Sequence, residues 1–141
     1  MISVKNLNKS FNGFQAVNDL SFDIMPGDVV GFLGPNGAGK STTMKMLTGF
    51  LLPTSGDIHI NNLSLEQSAL EIKKKIGYLP EGAPAYGDMT PLQFLNFIAQ
   101  IRGYKGAEKA SRIEHVVKQV ELQEVLDKPI DNLSKGFKRR V

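Results

Sequence analysis

"GPNGAGKST", Gly34 to Thr42, lies between the apolar run "VVGFL" (29–33) and "MKMLTG" (44–49). Gly34 to Ser41 fit G-x-x-x-x-G-K-[ST] without a mismatch. That motif needs a buried strand before it and a helix after it. Both patterns are present: 29–33 is short, continuous and β-branched, and 41–49 reads as a helix ending near Gly49. The dinucleotide fingerprint G-x-G-x-x-G is not matched.

The pattern predicts a phosphate cradle. Gly34, Gly37 and Gly39 allow the tight turn that lets successive N–H groups converge, with Pro35, Asn36 and Ala38 completing the loop. The helix beginning near Lys40 aims its positive dipole end at the same space. Lys40 is placed to reach the β- and γ-phosphates, Ser41 to ligand Mg²⁺, and Thr42 to add a donor on the α/β side.

The rest of the composition is ordinary. The chain has 141 residues, 41% hydrophobic content and a net charge of +3, which fits one compact domain or a large part of one. Its apolar runs are too short to span a bilayer, and "MISVKNLNKSF" lacks the apolar core of a signal peptide. No cysteine is present, which excludes disulfides and zinc–thiolate sites and suits a cytosolic protein. His59 and His115 are isolated and read as surface residues. The N-x-[ST] sequons at Asn8, Asn62 and Asn132 read as chance matches.

Outward from the loop, 2–7 and 15–24 read as strands joined through "NG" at 12–13. "DIHIN" and "IGYLP" (76–80) read as further strands, the latter buried. "SLEQSALEIKKK" reads as a surface helix with Ser64 and Gln67 as its capping box. From Thr90 the chain reads as helical. Thr90, Pro91 and Gln93 form a helix start, Phe94, Leu95, Phe97, Ile98 and Ile101 an apolar helix, and Ile113, Val116, Val117 and Val120 the stripe of a second helix over 107–121. Both stripes are expected to be core. "LSKGFKRRV" opens another helix with Ser134 near its cap. An internal boundary is expected near 80–90, dividing an α/β half (1–80) from a helical half (81–141).

With these motifs in place, the chain resembles the nucleotide-binding domain of ABC transporters from about Ile2 to Val141. The resemblance rests on "GPNGAGKST", on "SFDIMPGDVVGFLG" before it, on "LLPTSGDIHINN" and "IGYLPE" after it, and on "LSKGFKRRV". It implies an α/β fold: a P-loop NTPase core, a small antiparallel β subdomain at the N-terminus, and an α-helical subdomain. It makes Phe11 the aromatic residue that stacks on adenine and Val17 the apolar residue beside the base; by residue type alone Phe11 is a strand-end core residue. It makes Glu81 a second Mg²⁺ contact that also meets the attacking water, and with Lys40 a catalytic group. The family usually has Gln at the position of Glu81, and a carboxylate adds negative charge near the γ-phosphate.

The signature is usually L-S-G-G-Q. Here it reads Leu133-Ser134-Lys135-Gly136-Phe137, a variant similar to those of ABC-2-type exporters. The resemblance gives this segment the γ-phosphate of ATP on the opposite subunit. It further implies ATP and Mg²⁺ as ligands, a head-to-tail second nucleotide-binding domain, a transmembrane permease as partner, and a place at the inner face of the cell membrane. Lys138, Arg139 and Arg140 read as a solvated helix face, so no nucleic acid is expected.

Hydrolysis also needs an Asp ending an apolar strand, with a Glu beside it. No four apolar residues followed by Asp-Glu occur; "QEVLD" (123–127) is interrupted by Glu124. The family places this strand after the signature. The expectation is therefore an N-terminal part of an ABC ATPase, with the C-terminal part of the sheet missing and no turnover by itself. The rival readings are a P-loop small-molecule kinase, which needs an arginine-bearing lid, and an ABC-type module in translation or DNA maintenance.

Overall fold

Asn12 and Gly13 both adopt positive φ, 45° and 87°, and turn the N-terminal segment back on itself. This is the backbone that a two-residue hairpin turn requires. A computed structural model describes residues 1–80 and 86–141. The hairpin strands are β1 (Ile2–Phe11) and β2 (Phe14–Ile24), with Phe11 opposite Phe14 and Ile2 opposite Ile24. β3 (Ser55–Ile60) pairs antiparallel on the other side of β1, and the short β4 (Leu63–Ser64) closes the order β2-β1-β3-β4. The expected antiparallel β subdomain is therefore present.

Two compact units divide the chain, Met1–Tyr78 and Leu79–Val141. In the first, α1 (Lys40–Leu47) sends Met46 and Leu47 into a core with Val4, Leu7 and Val17 of the hairpin, Ile58 and Ile60 of β3, and Ile72 of α2 (Ala69–Lys75). Leu7, Met46 and Ile72 are fully buried.

The two runs expected as buried parallel strands are not strands. Residues 29–33 form no regular element, and Val29 and Leu33 are 101% and 93% exposed. Residues 76–80 form none either, and Leu79 is 74% exposed. A strand exists only when a neighbour satisfies its N–H and C=O groups. Among the described residues neither run has such a neighbour, so every strand pair here is antiparallel.

The capping box at Ser64 and Gln67 is also absent. Ser64 pairs with His59 in the β3–β4 ladder, and α2 starts later, from Ser68, without a side-chain cap.

In the second unit the capping box at the start of α3 (Pro91–Ile101) is complete. Gln93 N donates to Thr90 Oγ1 at 3.2 Å, and Thr90 N donates to Gln93 Oε1 at 2.9 Å. α4 spans Gly106–Gln119, a little short of its predicted end because Glu121 takes φ 54°. Val117, Leu122, Val125, Ile130 and Leu133 form the core, with Phe94, Leu95, Ile113, Val120 and Phe137 against it. The α3 stripe is only partly core: Ile101 is 68% exposed. "QEVLD" holds a 3₁₀ turn, Gln123–Val125, with Val125 buried, so it is no strand. α5 (Lys135–Arg140) follows Ser134, whose Oγ accepts from Phe137 N at 3.3 Å.

Candidate functional site

The loop 34–39 leads into α1 as the motif requires. Gly37 and Gly39 stand at φ 85° and 80°, a region that L side chains rarely adopt. Gly39 also lies against β2: a β-carbon there would be 3.1 Å from Val17 Cγ2 and would collide with the Ala16 carbonyl oxygen. Ala38 N closes a turn onto Pro35 O at 3.2 Å. Residues 34–38 are exposed, so the loop faces solvent.

Lys40 is anchored. Its Nζ donates to Gly34 O and to Pro35 O, both at 2.7 Å. An ammonium has three N–H donors, so one remains for a ligand. Gly39 caps α1 by backbone alone; no side chain caps it, and its first turn holds no acid. The N–H groups of the first turn therefore keep their partial positive charge for an incoming anion. Ser41 is exposed and Thr42 half-buried at this end.

Thr43 was not singled out from the sequence. It is 1% exposed, its Oγ1 donates to Gly39 O at 3.0 Å, and its N donates to the same oxygen at 2.8 Å. The pair of bonds ties the helix start to the loop. A Thr four residues after the loop's last Gly was the available signal.

Phe11 ends β1 at the hairpin turn, 44% exposed, with Lys9 Nζ 5.1 Å from its ring centroid. Val17 is 7% exposed and belongs to the core, where it touches the Gly39 position. Glu81 lies outside the described residues. The signature residues belong to the second unit: Leu133 is buried, Ser134 caps α5, Lys135 and Gly136 are exposed, and Phe137 packs on the core beneath the Arg140 guanidinium at 5.4 Å. His59 and His115 are exposed, and no group of three metal-ligating side chains occurs among the described residues. A cavity of about 460 Å³ lined by Thr54, Asp57, Ile58 and Glu66 among others contains none of the predicted site residues.

The family model for the ABC transporter matches residues 17–141. The chain belongs to the ABC transporter family. Relatives of this ABC chain agree. It is 35% identical over its whole length to the probable multidrug ABC transporter ATP-binding protein YbhF of Escherichia coli (strain K12), covering 24% of that protein. It is 36% identical to the SkfA peptide export ATP-binding protein SkfE of Bacillus subtilis (strain 168), covering 100% of this chain and 58% of SkfE. Among solved structures, a dimeric bacterial ABC transporter cassette superposes with a TM-score of 0.86 at 25% identity, over 99% of this chain and 66% of the other. The chain thus spans about a quarter to two thirds of these three proteins. The α/β class and the P-loop core expected from the sequence hold, and the matched span takes in loop, α1 and signature alike.

Proposed function

We propose that this chain is part of the ATP-binding subunit of an ABC transporter, which in its full-length form hydrolyses Mg-ATP to drive a membrane permease. One observation carries the reading: an anchored lysine at the uncapped, acid-free start of α1. A tethered cation and free helix N–H groups at one point suit an anion, and their place in a G-x-x-x-x-G-K-S loop favours a polyphosphate.

In this reading, the backbone of Gly34, Pro35, Asn36, Gly37, Ala38 and Gly39 wraps the phosphates. Lys40 gives its remaining N–H to the β- and γ-oxygens, and Thr42 adds a donor on the α/β side. Ser41 is an exposed hydroxyl, which fits the oxygen preference of Mg²⁺. Ser41 would hold that ion, which would supply positive charge against the phosphate oxygens. Glu81 would supply a second oxygen ligand and would orient the attacking water. Phe11 stacks on adenine, with Val17 at its edge.

The remaining parts follow from the family. Residues 1–80 act as the ATP-binding core and 81–141 as the helical subdomain toward the permease. Leu133, Ser134, Lys135, Gly136 and Phe137 meet the γ-phosphate held by a second, head-to-tail subunit, which accords with the dimeric cassette among its structural relatives. These 141 residues hold no run of four apolar residues followed by Asp-Glu, so in this reading they bind ATP without turning it over. The subunit sits at the cytoplasmic face through its permease. Relatives named for multidrug transport and peptide export favour outward transport.

The test is phosphate release from Mg-ATP by this chain, with binding followed in parallel and Lys40→Ala as control. The expected result is binding that is lost in the variant, and no release above it. Unchanged binding in Lys40→Ala would overturn the cradle. Release that depends on Lys40 would overturn the need for a further strand.

A further inference from the structure

We propose that Lys9 is a positioning residue for the adenine base, acting through the ring of Phe11. The proposal rests on reading Phe11 as the base platform. Lys9 and Phe11 are two apart on β1 and so share one face of the strand. The Lys9 ammonium stands over the Phe11 ring, 5.1 Å from its centroid. It is fixed there, because Nζ also donates to Leu52 O at 2.7 Å.

That second bond belongs to a strap. Ser10 N donates to Thr54 Oγ1 at 3.0 Å, and Thr54 N donates to Asn8 O at 2.9 Å. The segment leaving the C-terminus of α1 thus grips the end of β1 just ahead of Phe11. The N-terminus of the same helix carries the phosphate loop. Opposite Lys9 in the ladder is Val17, which also touches Gly39. One short set of contacts therefore links the aromatic platform to the cradle.

The physical effect has two parts. A cation on one face of an aromatic ring draws on its π-density and leaves the other face less negative. An electron-rich purine stacks better on such a face. The tether also holds the ring in one orientation, so less freedom is lost when a base arrives. Phe11 is 44% exposed, which leaves room for a base.

The test compares ATP with inorganic tripolyphosphate, which has no base. Affinities for both are measured in the chain, in Lys9→Met, in Phe11→Ala, in the double variant and in Lys9→Arg. At an exposed cation–π site, Lys9→Met is expected to weaken ATP about two- to fivefold and leave tripolyphosphate unchanged. It is expected to do nothing further in the Phe11→Ala background, and Lys9→Arg is expected to restore ATP binding. An equal loss for ATP and tripolyphosphate would overturn the proposal, because it would make Lys9 a phosphate contact or a purely structural one. A loss that persists without Phe11 would overturn it too, by making Lys9 touch the nucleotide directly. If Phe11→Ala leaves the ratio of the two affinities unchanged, the platform reading itself fails, separately from Lys9.

Discussion

Gly39 and Val17 meet so closely that a β-carbon on Gly39 would stand 3.1 Å from Val17 Cγ2. The same β-carbon would run into the Ala16 carbonyl oxygen, and Gly39 holds φ 80°. The last glycine of the 34–39 loop is thus also the point where the loop rests on the hairpin.

Gly39→Ala is therefore expected to damage the first unit more than Gly37→Ala does. Gly37 has φ 85° but open space around its α-carbon, so its substitution carries left-handed strain alone, roughly 1–2 kcal/mol. At Gly39 a backbone collision adds on the order of 1–3 kcal/mol. Urea unfolding of the two variants checks the order. Equal midpoints would mean that the hairpin yields to the loop.

The two capping boxes predicted from sequence should separate cleanly in stability. Thr90→Ala removes a cap that is formed on both sides and should cost about 1 kcal/mol. Ser64→Ala removes no helix cap, because that serine sits in the β3–β4 ladder, and should stay within about 0.5 kcal/mol. Denaturant midpoints of the pair decide this.

Core and exposed leucines should differ just as sharply. Leu7 is 0% exposed, and Leu7→Ala should cost about 2–5 kcal/mol. Leu33 is 93% exposed, and Leu33→Ala in this chain should stay within about 0.5 kcal/mol. Replacing Val29 and Leu33 together by Ser should raise the solubility limit without moving the unfolding midpoint, since exposed apolar runs promote association.

Glu114 gives a pH prediction with a definite sign. A hydrogen bond from Lys118, and then its charge, hold the Glu114 carboxyl below the usual carboxylate value. A lowered folded pKa contributes stability above the unfolded pKa and loses it as pH falls through the folded one. Both side chains are exposed, so the contribution is small and falls with salt. NMR titration of the Glu114 carboxyl should find it lower in the native chain than in Lys118→Gln. Identical titrations would show that the pair does not form in solution.

Much of the candidate site's geometry was legible because it is local. The loop needs left-handed backbone at Gly37 and Gly39, a cation at Lys40 and a helix start, and all lie within a few residues of one another. The Asn12–Gly13 turn and the Thr90–Gln93 box are equally short-range. The Lys9–Phe11 contact was less legible: the spacing is visible, but the anchor that holds the ammonium is Leu52, far along the chain.

The sequence by itself determined the glycine-rich turn before α1, the hairpin, the start of α3 and the family. Those follow from steric permission, hydrogen-bond capacity and residue order over short spans. Tertiary structure alone decided which of the apolar runs beyond the hairpin become strands. "DIHIN" found β1 beside it, whereas "VVGFL" and "IGYLP" are more apolar and have no partner among the described residues. An apolar β-branched run states a capacity for pairing, and only a neighbour with free N–H and C=O groups converts it into a strand.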